Sequence, residues 1–145
     1  MARVKIDLPP SFHFTTRIPV RITDLNYGGH VGNDSVLAML HEARLQYLNQ
    51  WGYTELEVAG VGLIMTDATL AFKGESFYGD VWDIQIMATE FSRVGFELYY
   101  MVETERDGRR LRIAEAKTGM ICFDYAGRKP VGVPGVFKEQ VGALG

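Results

Sequence analysis

Hydrophobic and polar positions alternate from Phe12 to Ile22. Phe12, Phe14, Ile18, Val20 and Ile22 fall at even spacing and predict a strand. The alternation breaks between Thr23 and Gly32, where Gly28, Gly29 and Gly32 signal a turn. Asn33-Asp34-Ser35 then offers N-cap candidates. From about Asp34 to Gln50 the period changes to three and four. Val36, Leu40, Ala43, Tyr47 and Trp51 form the apolar stripe of a helix, and Gly52 is placed to stop it. Four strand-like runs follow: Val61–Lys73, Val81–Phe91, Val94–Thr104 and Leu111–Tyr125. Asp107-Gly108 predicts a hairpin between the last two. Residues 1–11 read as a loose lead-in ending at Pro9-Pro10, and the stretch from Ala126 to Pro134 ends the sheet. Strands joined by short turns pair antiparallel. One such sheet buries one apolar helix by curling around it, which predicts an α+β architecture. It leaves a sheet edge that a second subunit can pair.

A length of 145 residues fits a single domain spanning 1–145, with its core at about 12–134. The net charge of -3 gives no footprint for nucleic acid. Arg109, Arg110 and Arg112 read as a solvated hairpin end. Cys122, the sole cysteine, lies in an apolar run and reads as a small buried hydrophobe. No cysteine–histidine spacing suits a metal, and no cofactor is expected. Neither a signal peptide nor an apolar run near the ~20 residues of a membrane span is visible, so the expected compartment is the cytoplasm.

Chemistry gathers in one segment, Asp24-Leu-Asn-Tyr-Gly-Gly-His-Val-Gly-Asn33, between the first strand and the helix. If the strand runs on to Asn26, Asp24 and Asn26 share a face. Tyr27 adds a further polar side chain, and glycines such as Gly29 let backbone approach a ligand. The backbone N–H of Asn33 lies at the expected helix start, where free amides and the helix dipole favour a developing oxyanion. His30 is a candidate general acid or base. The same residue types also make an ordinary turn with a helix cap, and composition alone favours that turn.

Four pieces, in order, carry a resemblance: Val20-Arg-Ile-Thr-Asp-Leu-Asn-Tyr-Gly-Gly-His-Val31, Leu40-His-Glu-Ala-Arg44, Phe72-Lys-Gly-Glu-Ser-Phe-Tyr-Gly-Asp80 and Phe123-Asp-Tyr-Ala-Gly-Arg-Lys-Pro-Val131. Together they resemble the hotdog-fold acyl-CoA thioesterases, the group of 4-hydroxybenzoyl-CoA thioesterase, over roughly Phe12 to Pro134. The resemblance implies a five- to six-stranded antiparallel sheet wrapped around one long central helix. It implies a homodimer, with a dimer of dimers as an extension, and a site at the subunit interface. The implied activity is hydrolysis of an acyl thioester of coenzyme A or of an acyl carrier protein, with no nucleic-acid or membrane partner. Many relatives carry an aspartate at the position that register assigns to Asn26. An amide cannot be a general base, so Asn26 is assigned to orientation, with His30 or Asp24 assisting proton transfer. Glu42 is a further candidate, because another branch of the fold uses an acid on this helix. Its structural alternative is an ion pair with Arg44 or Arg17. Lys73 and Arg93 are candidate contacts to coenzyme phosphates. Asp67 is expected at solvent or an interface. A non-hydrolytic acyl-CoA binder is the alternative function, and His41-Glu42 loosely echoes the dehydratases of the same fold.

Overall fold

The computed structural model describes residues 3–145, so the first two residues of the predicted lead-in lie outside it. Strand β1 (Phe14–Pro19) is followed by a 3-10 turn (Ile22–Asp24) and helix α1 (Asn33–Asn49). Strands β2 (Gly62–Phe72), β3 (Val81–Thr89), β4 (Gly95–Arg106) and β5 (Arg109–Asp124) come next. A short β6 (Lys129–Pro130) and helix α2 (Gly135–Ala143) close the chain. The sheet is antiparallel in the order β1-β3-β4-β5-β2, with β6 on the end of β5. The expected α+β arrangement, one long helix on an antiparallel sheet, is present.

Alternation places one face of each strand inward. Trp82, Ile84 and Ile86 on β3 and Leu98, Tyr100 and Val102 on β4 are fully buried. The stripe Val36, Leu40, Ala43 and Tyr47 of α1 packs onto this face, joined by Met39 and Leu48. Each large apolar side chain so buried contributes about 1.5–3 kcal/mol. Cys122 is buried as expected, and burial pushes its thiol up to about 11. Arg44 also enters this core. Its guanidinium is satisfied by Glu55 at 2.8 Å and by the Tyr100 hydroxyl at 3.2 Å. Asp107 (φ 55°) and Gly108 (φ 73°) make the predicted hairpin turn, since both central residues of that turn need positive φ. The arginines after it sit at a solvated hairpin end, Arg109 and Arg110 being exposed, and two of them are paired: Arg110 with Asp83 and Glu103, and Arg112 with Glu103 and Glu115.

Three expectations are corrected. The first strand stops at Pro19 rather than Ile22. The Val20 amide turns away to the Asp80 carbonyl, and the Asp24 carboxylate accepts the Arg21 amide, which winds the chain into the 3-10 turn. Asp24 and Asn26 therefore do not share a strand face. The helix N-cap is Gly32, with no capping side chain, not one of Asn33 to Ser35. The tail does more than end the sheet, because α2 folds back over it. Phe137 is fully buried there, among Trp51, Tyr53, Phe91 and Phe96. Among the described residues no helix is long and apolar enough to cross a membrane.

Candidate active site

The turn from Val20 to Gly32 is fastened at both ends to one loop, residues 73–80. At its entry the Val20 amide donates to the Asp80 carbonyl (2.9 Å). At its exit the Val31 amide donates to the Ser76 carbonyl (2.8 Å). Gly32 then donates to the Asp24 carbonyl (3.1 Å). The next amides, those of Asn33, Asp34 and Ser35, open the helix. None of the three has a protein acceptor among the described residues. A helix start left uncapped in this way presents donors and the positive end of the helix dipole to whatever enters.

Asn33, the first of them, lines a cleft of about 300 Å³ between the N-terminus of α1 and the 73–80 loop. His30 and Asn33 line one wall, and Lys73, Gly74, Glu75 and Ser76 line the other. Val31, Val36, Phe72, Trp82 and Ile113 supply the apolar surface. The structure thus brings His30, Asn33 and Lys73 together. Asn26 flanks the same corner: a methyl built on Gly28 would lie 3.2 Å from Asn26 Oδ1 and 3.4 Å from His30 Nε2. Asn26 Oδ1 accepts the Gly28 amide at 2.8 Å. That bond fixes the orientation of the side-chain amide and leaves its Nδ2 free to donate. Gly29 adopts φ 82°, a conformation open to glycine, and the turn carries Tyr27 fully into solvent.

Other predicted residues lie elsewhere. Asp24 is 3 % exposed, and its carboxylate accepts the Arg21 amide and guanidinium at 2.7–3.3 Å. Glu42 accepts Gln46 Nε2 at 2.8 Å in a separate groove between α1 and β1, so it pairs with neither Arg44 nor Arg17. Arg17 is paired with Asp83 instead. His41 bonds Glu55 at 2.6 Å, outside the cleft. Arg93 sits beyond the far end of β3, a strand of nine residues or about 26 Å from the turn. Asp67 lies exposed on the edge strand β2, where a bulge lets its Oδ1 accept the Gly119 amide.

Sequence patterns missed Glu75, Ser76 and Trp82. The segment from Phe72 to Asp80 signals a turn, but nothing in its spacing says that the turn forms a wall of the cleft. Contacts beyond the loop hold that wall in place. Ser76, 2 % exposed, donates to Asp80 Oδ2 and accepts the Trp82 indole N–H, both at 2.7 Å. Arg106 clasps Asp80 through Nη2 (2.6 Å) and Nε (3.2 Å), and lies over the Phe77 ring at 5.0 Å. Burial alone would push the Asp80 carboxyl up. The bonds from Arg106, the Phe77 amide and Ser76 outweigh it and hold the group below its ordinary 3.8. A depressed carboxyl stabilises fully above its unfolded value and loses that contribution as pH falls through the folded one. Denaturant melts are therefore expected to show the wild type losing stability below pH 3.8. Asp80→Asn, weaker at neutral pH, should lose less over the same interval. Parallel losses would rule out Asp80 as the acid-sensitive group.

Among the described residues, no group of three or more His, Cys, Asp or Glu side chains converges to hold a metal ion.

Solved structures share this architecture. A 1,4-dihydroxy-2-naphthoyl-CoA thioesterase from Synechocystis superposes with a TM-score of 0.79 at 22 % identity, over 90 % of this chain and 96 % of that one. The 4-hydroxybenzoyl-CoA thioesterase of Pseudomonas sp. strain CBS-3 gives 0.77 at 19 %, over 87 % and 96 %. An aspartate-to-asparagine variant of 4-hydroxybenzoyl-CoA thioesterase, complexed with 4-hydroxybenzoyl CoA, gives the same values. The fold as a whole thus has hotdog counterparts. No curated protein sequence matches the chain. The thioesterase-like superfamily model matches residues 20–141, from the start of the site turn into α2, and on that match the chain belongs to the thioesterase-like superfamily.

Proposed function

We propose that the protein hydrolyses an acyl thioester, on coenzyme A or an acyl carrier protein, to free acid and thiol. The observation that carries this proposal is the uncapped start of α1, whose first residue, Asn33, has an amide without an acceptor and lines a cleft with His30 and Lys73 at its sides. The Asn33 amide and Asn26 Nδ2 would donate to the thioester carbonyl as negative charge develops on its oxygen. His30 is the group of the turn that can move a proton. Asp24 serves the turn by holding Arg21, and Glu42 is left outside the chemistry. Purified protein should release free thiol from a panel of acyl-CoAs spanning chain lengths and aromatic acyl groups; no release from any member would overturn the proposal.

Lys73, at the cleft mouth, suits the phosphates of the coenzyme. Arg93 would reach the same ligand only from a second subunit. The open edge of β2, with Met65, Thr66, Asp67 and Ala68 exposed, supports a homodimer joined there. Sedimentation should give twice the chain mass of 16.3 kDa, or four times if dimers pair. Met65→Glu, which adds charge to that edge, should shift the protein toward monomer. A wild type that sediments as monomer at micromolar concentration would contradict the dimer.

A second function, acyl-CoA binding without turnover, is favoured by the amide at position 26, since the complexed relative described above also carries an asparagine in place of an aspartate. Calorimetric binding of acyl-CoA by a protein that releases no thiol would establish it.

A further inference from the structure

Hydrolysis needs a group that takes a proton from the attacking water, and the turn supplies no free carboxylate for it. Asn26 is an amide, the Asp24 carboxylate is engaged by Arg21, and Glu42 lies in another groove. Glu75 contributes the one carboxylate of the cleft lining among the described residues. We propose that Glu75 is the general base of this site, acting from the wall that faces the helix amides; this rests on the thioester-hydrolysis proposal above.

Three features favour it. First, the Glu75 side chain is exposed, and its carboxylate makes no hydrogen bond or ion pair among the described residues, so its lone pairs are free. Second, its backbone is fixed from both sides. Arg106 Nη2 donates to the Glu75 carbonyl (3.2 Å), and the adjacent Ser76 carbonyl receives the Val31 amide (2.8 Å). That second bond ties Glu75 closely to the start of α1, since Val31 is two residues before Asn33. Third, the donors assigned to the carbonyl oxygen are the Asn33 amide, on the His30–Asn33 wall, and Asn26 Nδ2, at the corner beside His30. A carbonyl held by its oxygen on one wall presents its carbon to water lying against the other, where Glu75 stands.

The step balances as follows. Glu75 accepts one proton from water as the water oxygen bonds to the carbonyl carbon, and the carbonyl π pair moves to the oxygen facing the Asn33 amide. When that pair returns, the carbon–sulfur bond breaks, and the departing thiolate takes the proton from Glu75. The products are a carboxylic acid and a thiol, with the enzyme unchanged. No further reactant is needed.

The test is steady-state hydrolysis of the best acyl-CoA in the panel by the full-length protein. Glu75→Gln keeps shape and exposure, so its melting temperature should match wild type. Its kcat should fall at least 100-fold, the lower end for a general base, with KM little changed, and the acidic limb of the pH–rate profile should disappear. Glu75→Asp, a shorter carboxylate, should keep the acidic limb and recover part of the rate. A Glu75→Gln protein within threefold of wild-type kcat overturns the assignment and returns the role to His30. So does a loss confined to KM. A wild type without thiol release would defeat the hydrolase proposal itself, and this assignment with it.

Discussion

Asn26→Ala is expected to lower kcat by about 100-fold while shifting the melting temperature by no more than about 2 °C. Removing one preorganised donor to a developing oxyanion costs on the order of 100- to 1000-fold. The lower end fits here because the Asn33 amide remains. Stability should hardly respond, because Asn26 is exposed, its one side-chain bond, from the Gly28 amide, closes a solvated turn, and its backbone bonds to His30 and Gly29 survive the substitution. Asn26→Asp makes the stricter test. An aspartate can still accept the Gly28 amide, so the turn is preserved. It cannot donate, and its charge would oppose the oxyanion, so a donor role predicts a loss comparable to that of Ala. An Asn26→Asp protein faster than wild type would show instead that this site works best with an acid at position 26, as many relatives do. An Ala variant at full rate would remove Asn26 from the site.

Phe137→Ala is expected to cost about 3–5 kcal/mol of stability, the range for emptying a buried aromatic position. For a chain of this size that means a melting temperature lower by about 10–15 °C. Phe137 fills the space between Trp51 on one side and Phe91 and Phe96 on the other, with ring centroids 5.4–6.3 Å away. Besides Phe137, α2 is held by buried Val141 and by the Tyr53 hydroxyl, which donates to Gln140 Oε1 at 2.8 Å. The cleft lies at the opposite end of α1, a helix of 17 residues or about 26 Å. Turnover at low temperature should therefore survive the substitution. Thermal scans with assays at 15 °C would check both halves, and a melting temperature within 3 °C of wild type would mean that α2 is dispensable to the core.

How far the sequence carried each feature follows from the range of the forces involved. The α1 stripe and the alternating strands were legible because burial repeats locally, residue after residue, in Val36 to Tyr47 and in Trp82 to Ala88. The hairpin at Asp107-Gly108 was legible because its φ requirement is local too. Helix α2 escaped because its main anchor, Phe137, packs on partners 40 to 90 residues away, and no period announces such a contact. At the site, the segment was legible as a turn, and the structure sets His30 and Asn33 on the lining of one cleft. Asp24 was misjudged because its partner is Arg21, three residues back, and that bond bends the strand the residue had been assumed to continue. Glu75 was passed over because the bond that brings it to the helix runs between the Ser76 carbonyl and the Val31 amide, backbone groups that every residue carries.

The uncapped start of α1 has an evolutionary side. Serine at Gly32, once the Asp34 side chain swings aside from the 2.7 Å approach to its Cβ, would bind one of the open amides and strengthen the helix by a few tenths of a kcal/mol relative to glycine. Such a change is reachable by a single-base substitution from some glycine codons, yet the position holds glycine with no capping side chain. If those amides serve the substrate, a cap would compete with it, and selection for activity would oppose selection for stability at this one residue. Stability-guided redesign of this protein would reach for Gly32 early, and it is the position such a redesign should leave alone.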